Sequence, residues 1–162
     1  MKRFIAGAAL LTVALGLVSC TTPDSRLRSD LLILVSIDGF RWDYLRKYEA
    51  PALKALAADG VHARRLIPVF PSKTFPNHYT LVTGLYPAHH GIVGNWFYDP
   101  AYNETFGMGK PSSNSEERWW ADGEPVWITA GKQGVRSACF FWPGSETTHG
   151  GIRPSFSKPF DK

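Results

Sequence analysis

The stretch FPSKTFPNHYTLVTG, residues 70–84, decides how the centre of this 162-residue chain folds. Pro76 near its start and Gly84 at its end are typical of helix starts and helix ends, so the sequence predicts a short helix over residues 75–83. Thr74 stands immediately before that helix. It is either an N-cap, whose hydroxyl accepts a hydrogen bond from an early backbone N–H, or a nucleophile at a helix start that favours an incoming phosphate.

The segment LLILVSIDG, residues 31–39, is the strongest strand candidate. Its apolar run over residues 31–37 is typical of a central strand that is buried on both faces of a parallel sheet. Asp38 follows at the carboxyl end, where open α/β sheets collect ligand and metal sites. A carboxylate there is a hard ligand suited to a divalent cation. The alternative is a plain turn, because Asp-Gly is a common turn dipeptide.

Helices and strands alternate along the rest of the chain. Pro and Gly residues predict helices over Pro51–Asp59 and residues 124–133, and apolar runs predict strands over residues 61–67 and 135–141. Residues 86–122 are predicted to be a long loop, and the closing SFSKPFDK to be neither helix nor strand. The alternation predicts an α/β layered fold. Because two or three strands do not make a full parallel sheet, we expect the chain to be the front part of a longer protein.

The first thirty residues have the features of an export signal and a tether. Lys2 and Arg3 precede an apolar run over residues 4–18, which is typical of a secretory signal and shorter than the roughly 20 residues of a membrane span. The run ends in LVSC, which resembles a bacterial lipobox whose Cys20 becomes the lipidated N-terminus. We therefore predict a signal peptide over residues 1–19, a lipidated tether over residues 20–30, and a location in the bacterial periplasm or cell envelope. An ordinary cleaved signal with a chance Cys is the alternative.

Composition and charge favour a folded domain without a nucleic-acid partner. Hydrophobic residues make up 44% and charged residues 20% of the chain, a balance typical of globular proteins rather than disordered ones. Cleavage before Cys20 removes two bases and lowers the net charge from +4 to +2. That is little charge for nucleic-acid binding, which needs a clustered basic face. With Cys20 lipidated, Cys139 has no disulfide partner and is predicted to be a small buried apolar residue.

The chemistry of Thr74 and Asp38 makes most sense when the two act together. A Thr hydroxyl is a poor nucleophile unless it is deprotonated, and the neighbouring sequence offers no general base. A metal ion that Asp38 helps to hold would lower the pKa of that hydroxyl. The five His residues show no HxxxH or HxH spacing and are a weak metal signal. His78, four residues after Thr74, is predicted to be a hydrogen-bonded structural residue.

Four motifs carry a resemblance to a known family. SIDGFRWDYL, FPSKTFPNHYTLVTGLYPAHHGIVGN, WPGSE and GIRPS resemble the nucleotide pyrophosphatase/phosphodiesterase family of the alkaline phosphatase superfamily, over residues 31–162. The resemblance implies an α/β, alkaline-phosphatase-like three-layer sandwich with a mainly parallel sheet, incomplete in this chain. It also implies hydrolysis of phosphodiester or nucleotide pyrophosphate bonds.

The resemblance further implies a two-zinc site. Asp38 matches the first metal-binding Asp, and Thr74 matches the metal-activated nucleophile that forms a phosphorylated intermediate. Asn95 matches an Asn whose amide donates to a phosphoryl oxygen, as developing charge would require; its alternative is a turn residue after Gly94. Phe75 matches an aromatic residue that packs against the nucleotide base, and its alternative is a core residue at the helix start.

One departure from the family pattern leaves other functions open. The family's further Asp and His ligands have no counterpart here, and two ligands are too few for two zinc ions. We therefore expect weak zinc binding and little hydrolysis, or an inactive truncated lipoprotein. A related hydrolase of monoesters, sulfate esters or phosphonates is the other alternative. A sulfatase usually carries a C/S-x-P-x-R motif, whereas residues 74–78 keep the Pro and lack both the Cys or Ser nucleophile and the Arg.

Overall fold

The structure, a computed structural model, describes residues 31–159 of the chain. Contacts divide the chain into two units, residues 1–35 and residues 36–162. In the first unit, the described residues 31–35 are exposed and belong to neither a helix nor a strand. The helices and strands that the structure describes all lie in the second unit.

Two predicted strands are absent from the described residues. Residues 31–37 and 61–67 form no strand, and Leu31 and Leu32 are 84% and 88% exposed. A strand exists only where its N–H and C=O groups pair with a neighbour, and no described segment pairs with either run. An apolar, β-branched sequence predicts burial but does not supply the partner. The prediction of a buried central strand is therefore wrong for this structure.

The predicted helices are confirmed, because their signals are local. The helix over Pro51–Asp59 has the predicted bounds, the central helix runs over Thr74–Thr83, and the third runs over Val126–Lys132 with Pro125 as its N-cap. In chain order the helices are α1 (Tyr44–Lys47), α2 (Pro51–Asp59), α3 (Thr74–Thr83), α4 (Pro87–His90), α5 (Pro111–Ser115) and α6 (Val126–Lys132), with a 3-10 turn over Glu117–Trp119. No described helix has both the length and the apolar character that a membrane span requires.

Strands form two small pairs. β1 (Trp96–Asp99) runs antiparallel to β2 (Glu104–Gly107), with Trp96 opposite Gly107. β3 (Ala138–Phe140) runs parallel to β4 (Phe156–Lys158), with Ala138 opposite Phe156. The strand predicted over residues 135–141 is thus confirmed in its second half. The long loop predicted over residues 86–122 is wrong, since it holds the hairpin, and so is the prediction that the closing segment contains no strand.

An aromatic core holds α3 against the hairpin and the segment after it. Tyr79 of α3 is fully buried, and its ring meets that of Trp120 edge-on at 4.9 Å. The Tyr79 hydroxyl lies 2.6 Å from the carbonyl oxygen of Trp120, and burial raises its pKa, which keeps it a neutral donor. Aromatic side chains bury large apolar areas, so this cluster stabilises the unit. Its buried members are Phe75, Tyr79, Val82, Ile92, Phe106, Trp119, Trp120, Trp127 and Ile128.

Candidate functional site

The first residue of α3 carries the candidate nucleophile. Lys73 is the N-cap, with extended backbone and no side-chain cap bond, and Thr74 is the first helical residue. The interpretation of Thr74 as an N-cap is therefore wrong. Its side chain turns away from the helix, and Oγ1 donates a hydrogen bond of 3.1 Å to Oδ2 of Asp38. The nucleophilic role stays a prediction, but the hydroxyl has an acceptor in place.

Asp38 lies in a turn and still presents its carboxylate to Thr74. The N–H of Phe40 donates to the carbonyl of Ile37 at 3.3 Å, so the turn expected of Asp-Gly is present. The Asp38 side chain is exposed and reaches across 36 positions of sequence to the helix start. The turn and the oxygen-ligand interpretations of Asp38 are thus compatible, because the turn directs the side chain.

Asn95 lies at the same helix start. Its Oδ1 accepts a hydrogen bond of 2.9 Å from the N–H of Phe75, so this side chain satisfies one of the unpaired N–H groups of the first turn. Because that partner is a donor, the amide orientation is settled and Nδ2 is the atom left to donate. The backbone carbonyl of Asn95 accepts from the backbone N–H of Met108 at 2.8 Å, which fixes Asn95 beside the end of β2. The side chain therefore bonds the helix start through Oδ1 and retains Nδ2 as its donor atom.

Phe75 is placed as a core residue. It is 8% exposed, and its ring lies 6.0 Å from that of Phe106 and 5.9 Å from that of Trp120. This placement favours the core alternative that the sequence left open. Little of the ring remains to meet a nucleotide base, and the stacking role stays a prediction.

Asn77 supports the site from the loop side, and sequence reasoning missed it. Its Oδ1 accepts from the N–H of Val69 at 2.8 Å, and its Nδ2 donates to the carbonyls of Lys73 at 2.9 Å and Pro71 at 3.1 Å. One side chain thus holds the loop that leads into Thr74. No local signal could have revealed it, because the partners meet only once the loop has folded back on the helix.

The histidines have separate surroundings. His78 is hydrogen bonded, as the sequence predicts. His90 is buried, and its Nδ1 accepts from the N–H of Ile92 at 3.2 Å; burial lowers its pKa. His62 and His89 are exposed, and His149 is half-buried. Cys139 is free and half-buried among the described residues, and burial raises its pKa to about 11.

The donor set fits part of one metal site. Asp38 and Thr74 bring two oxygen atoms within 3.1 Å of each other, and such donors suit a hard or borderline divalent cation. Within residues 31–159, no group of three or more His, Cys, Asp and Glu side chains is placed to hold a metal ion. The pair could contribute to one coordination shell and does not complete it. Cys20, the predicted lipidation site, lies outside the described residues.

A family model settles the relationship that the motifs suggest. Residues 32–162 match the type I phosphodiesterase/nucleotide pyrophosphatase family. The chain belongs to this family. An uncharacterized pyrophosphatase/phosphodiesterase of Schizosaccharomyces pombe is 50% identical over 130 residues, 80% of this chain and 27% of that protein. A bis(5'-adenosyl)-triphosphatase of Xenopus laevis is 46% identical over 124 residues, 76% of this chain and 26% of that protein.

The fold of this phosphodiesterase family chain is shared with solved structures. Murine ectonucleotide pyrophosphatase/phosphodiesterase 5, in an inactive Thr-to-Ala variant bound to AMP, matches with a TM-score of 0.73 and 38% identity. The match covers 78% of this chain and 33% of that one. The predicted α/β, alkaline-phosphatase-like fold is thereby confirmed for a portion of the domain. The chain spans between a quarter and a third of the length of these relatives.

Proposed function

We propose that the protein is a metal-dependent hydrolase of phosphodiester or nucleotide pyrophosphate bonds and that Thr74 is its nucleophile. The observation that carries this proposal is the 3.1 Å hydrogen bond from Thr74 Oγ1 to Asp38 Oδ2 at the first residue of α3. The family match supports the reaction class. The helix start adds a favourable partial positive charge for a phosphoryl group.

The reaction begins at the Thr74 oxygen. Oγ1 forms a bond to phosphorus while the bond from phosphorus to the leaving oxygen breaks, so Thr74 is left phosphorylated. The Thr74 hydroxyl donates a hydrogen bond to Asp38 Oδ2, so this carboxylate oxygen is in place to receive its proton. Water then attacks the phosphorus and releases Thr74 for another turnover. Such covalent catalysis divides one difficult displacement into two easier steps.

Two zinc ions are the proposed cofactors. Asp38 and Thr74 would be ligands to one of them, and a bound zinc ion lowers the pKa of a coordinated hydroxyl or water. The family match is consistent with metal use. Because the described residues supply only part of one coordination shell, we expect zinc binding and turnover by the 162-residue chain to be weak.

Asn95 is the proposed donor to the phosphoryl group. Its Oδ1 accepts from the N–H of Phe75 at 2.9 Å, so Nδ2 is the side-chain atom that would donate to the phosphoryl oxygen. A fixed donor aimed at developing negative charge stabilises a transition state more than a mobile one. Phe75 is proposed to contact the nucleotide base only through the small part of its own side chain that is exposed.

The proposed substrate class is a nucleotide or another small phosphodiester. The murine relative was solved with AMP, in an inactive variant that replaces one Thr with Ala, and the Xenopus relative is a bis(5'-adenosyl)-triphosphatase. We propose that Thr74 corresponds to the Thr replaced in the murine variant. We also propose that the chain is exported and anchored to the bacterial cell envelope through lipid on Cys20, which the sequence of residues 1–20 supports.

Hydrolysis of the p-nitrophenyl ester of thymidine 5'-monophosphate tests the proposal. We expect zinc-stimulated release of p-nitrophenol that Thr74→Ala abolishes and that Thr105→Ala, at an exposed position of β2, leaves intact. We also expect the diester to be hydrolysed faster than p-nitrophenyl phosphate. Equal rates for wild type and Thr74→Ala would contradict the nucleophilic role, and a preference for the monoester would favour a related monoesterase.

A further inference from the structure

We propose that His78 is a positioning residue that ties the segment carrying Asp38 to the backbone of Thr74. This inference rests on the proposed function, since it concerns the same hydroxyl. The ring nitrogen Nδ1 lies 2.8 Å from the carbonyl oxygen of Thr74. The other ring nitrogen, Nε2, lies 3.0 Å from Oγ of Ser36, two residues before Asp38. One imidazole therefore joins two segments that are 42 positions apart.

The partners of the ring define its tautomer. A backbone carbonyl can only accept, so Nδ1 of His78 carries the proton and donates to Thr74. In a neutral ring the other nitrogen is then an acceptor, and the Ser36 hydroxyl donates to Nε2. The carbonyl of Thr74 fixes the direction of the first bond, from His78 to Thr74, and a neutral ring then receives the second bond from Ser36.

Trp142 holds the imidazole in place. Its indole N–H donates to the His78 carbonyl at 3.0 Å, and its ring meets the imidazole edge-on at 5.5 Å. Both residues are half-buried. A ring that is packed and bonded at both nitrogens has little freedom to rotate, which a positioning role requires.

The segment over residues 36–39 needs such a tether. It is exposed and forms no strand in the described part of the chain. Among the hydrogen bonds between described residues, the two that join it to α3 are Ser36 to His78 and Thr74 to Asp38. The bond from Thr74 to Asp38 must rearrange during the reaction, whereas the bond between Ser36 and His78 can persist throughout. A displacement of about 1 Å in a reacting group can lower the rate about 100-fold.

Two matched substitutions test the Ser36 link. His78→Asn keeps a side-chain donor near the position of Nδ1 and loses Nε2, while Ser36→Ala removes the hydroxyl that Nε2 accepts from. We expect each to lower kcat for the thymidine diester by about tenfold with KM within about twofold, and the double variant to be no slower than either single one, because residues in one network are not additive. His78→Leu, which loses both bonds, should be slower than either. His89→Asn, on the exposed side of α4, should match wild type.

Long-range ¹⁵N–¹H correlation NMR of the full-length chain provides a readout that does not need activity. We expect the Nδ1–H tautomer for His78 and a changed Nε2 shift in Ser36→Ala. The Nε2–H tautomer, or wild-type kcat in both His78→Asn and Ser36→Ala, would overturn the inference while leaving the proposed function standing. A wild type no faster than Thr74→Ala would overturn the proposed function and this inference with it.

Discussion

Three side chains of different chemistry meet at the first turn of α3. The Thr74 hydroxyl donates a hydrogen bond to Asp38, and Oδ1 of Asn95 accepts one from the backbone N–H of Phe75. The sequence could predict that Thr74 and Asp38 act together, because a weak nucleophile at a helix start and a carboxylate after an apolar run complement each other chemically. It could not predict the double task of Asn95, since the bond to Phe75 depends on how residues 84–95 return to the helix.

Asn95 offers a test that separates its two tasks. Asn95→Asp keeps an acceptor for the Phe75 N–H but loses the amide donor, whereas Asn95→Ala loses both. We expect both variants to lower kcat by about 100- to 1,000-fold, as removal of an oxyanion donor does. Only Asn95→Ala should also lower the free energy of unfolding, by about 1 kcal/mol for a lost helix cap. Steady-state kinetics and urea unfolding measure the two effects, and wild-type kcat in Asn95→Asp would exclude the donor role.

At the scale of elements, local signals predicted the helices and missed the hairpin. Pro in the first turn and Gly after the last turn are local signals of where a helix begins and ends. The helices α2, α3 and α6 therefore lie near their predicted positions. The hairpin β1–β2 lies in a stretch whose Gly, Asn and aromatic content suggests a loop. Its turn is stabilised by Asp99, whose Oδ1 accepts from the N–H of Ala101 at 2.8 Å, a device common to many turns and thus weakly informative.

Gly144, in the WPGSE motif, lets the chain pass close to the aromatic core. Its φ is +86°, and a Cβ there would lie 2.8 Å from a ring carbon of Trp120 and 3.0 Å from one of Tyr79. We expect Gly144→Ala to lower the free energy of unfolding by roughly 2–4 kcal/mol, because left-handed backbone and overpacking both carry a cost. Gly134→Ala is the matched control, with φ at +76° and open space around the position. Equal losses in urea unfolding would show that the contact with the core is unimportant.

His90 gives the aromatic core a pH dependence. Burial lowers its pKa in the folded chain, while the unfolded chain takes up a proton near pH 6.5. The contribution of neutral His90 to the free energy of unfolding is therefore fully present above about pH 7. It should fall as the pH drops through 6.5 toward the pKa of His90 in the folded chain. Hydrogen bonds, and ion pairs after them, lower the pKa of Glu104, Glu117 and Glu124. The stability that these carboxylates contribute is lost only at lower pH than the contribution of His90. Urea midpoints between pH 7.5 and 5.5 should fall for wild type and stay flatter for His90→Asn.

At the scale of the whole molecule, the motif resemblance predicted the family and the fold better than hydrophobic periodicity predicted the strands. Motifs alone identified the family and the α/β fold, both confirmed by the family match and the solved relatives. The apolar runs over residues 31–37 and 61–67 predicted strands that the described residues do not form. A strand is a property of a pair, so sequence can predict its apolar character and cannot supply its neighbour.

The predicted lipid anchor is tested on the intact chain in a bacterial host. We expect wild type to incorporate an alkyne-tagged fatty acid and to fractionate with membranes, and Cys20→Ser to do neither, because one cysteine supplies the attachment. Cys139→Ser, a change in a half-buried residue of β3, should label like wild type. Labelling that survives Cys20→Ser would contradict the lipobox prediction.

The most direct test is to trap the covalent adduct on Thr74 during turnover. Wild type and zinc are mixed with the p-nitrophenyl ester of thymidine 5'-monophosphate, quenched in acid, digested and examined by mass spectrometry. We expect the peptide that contains residue 74 to carry a thymidylyl group, lost on longer incubation and absent in Thr74→Ala. Sustained hydrolysis with that peptide unmodified, and with Thr74→Ala as fast as wild type, would contradict the account.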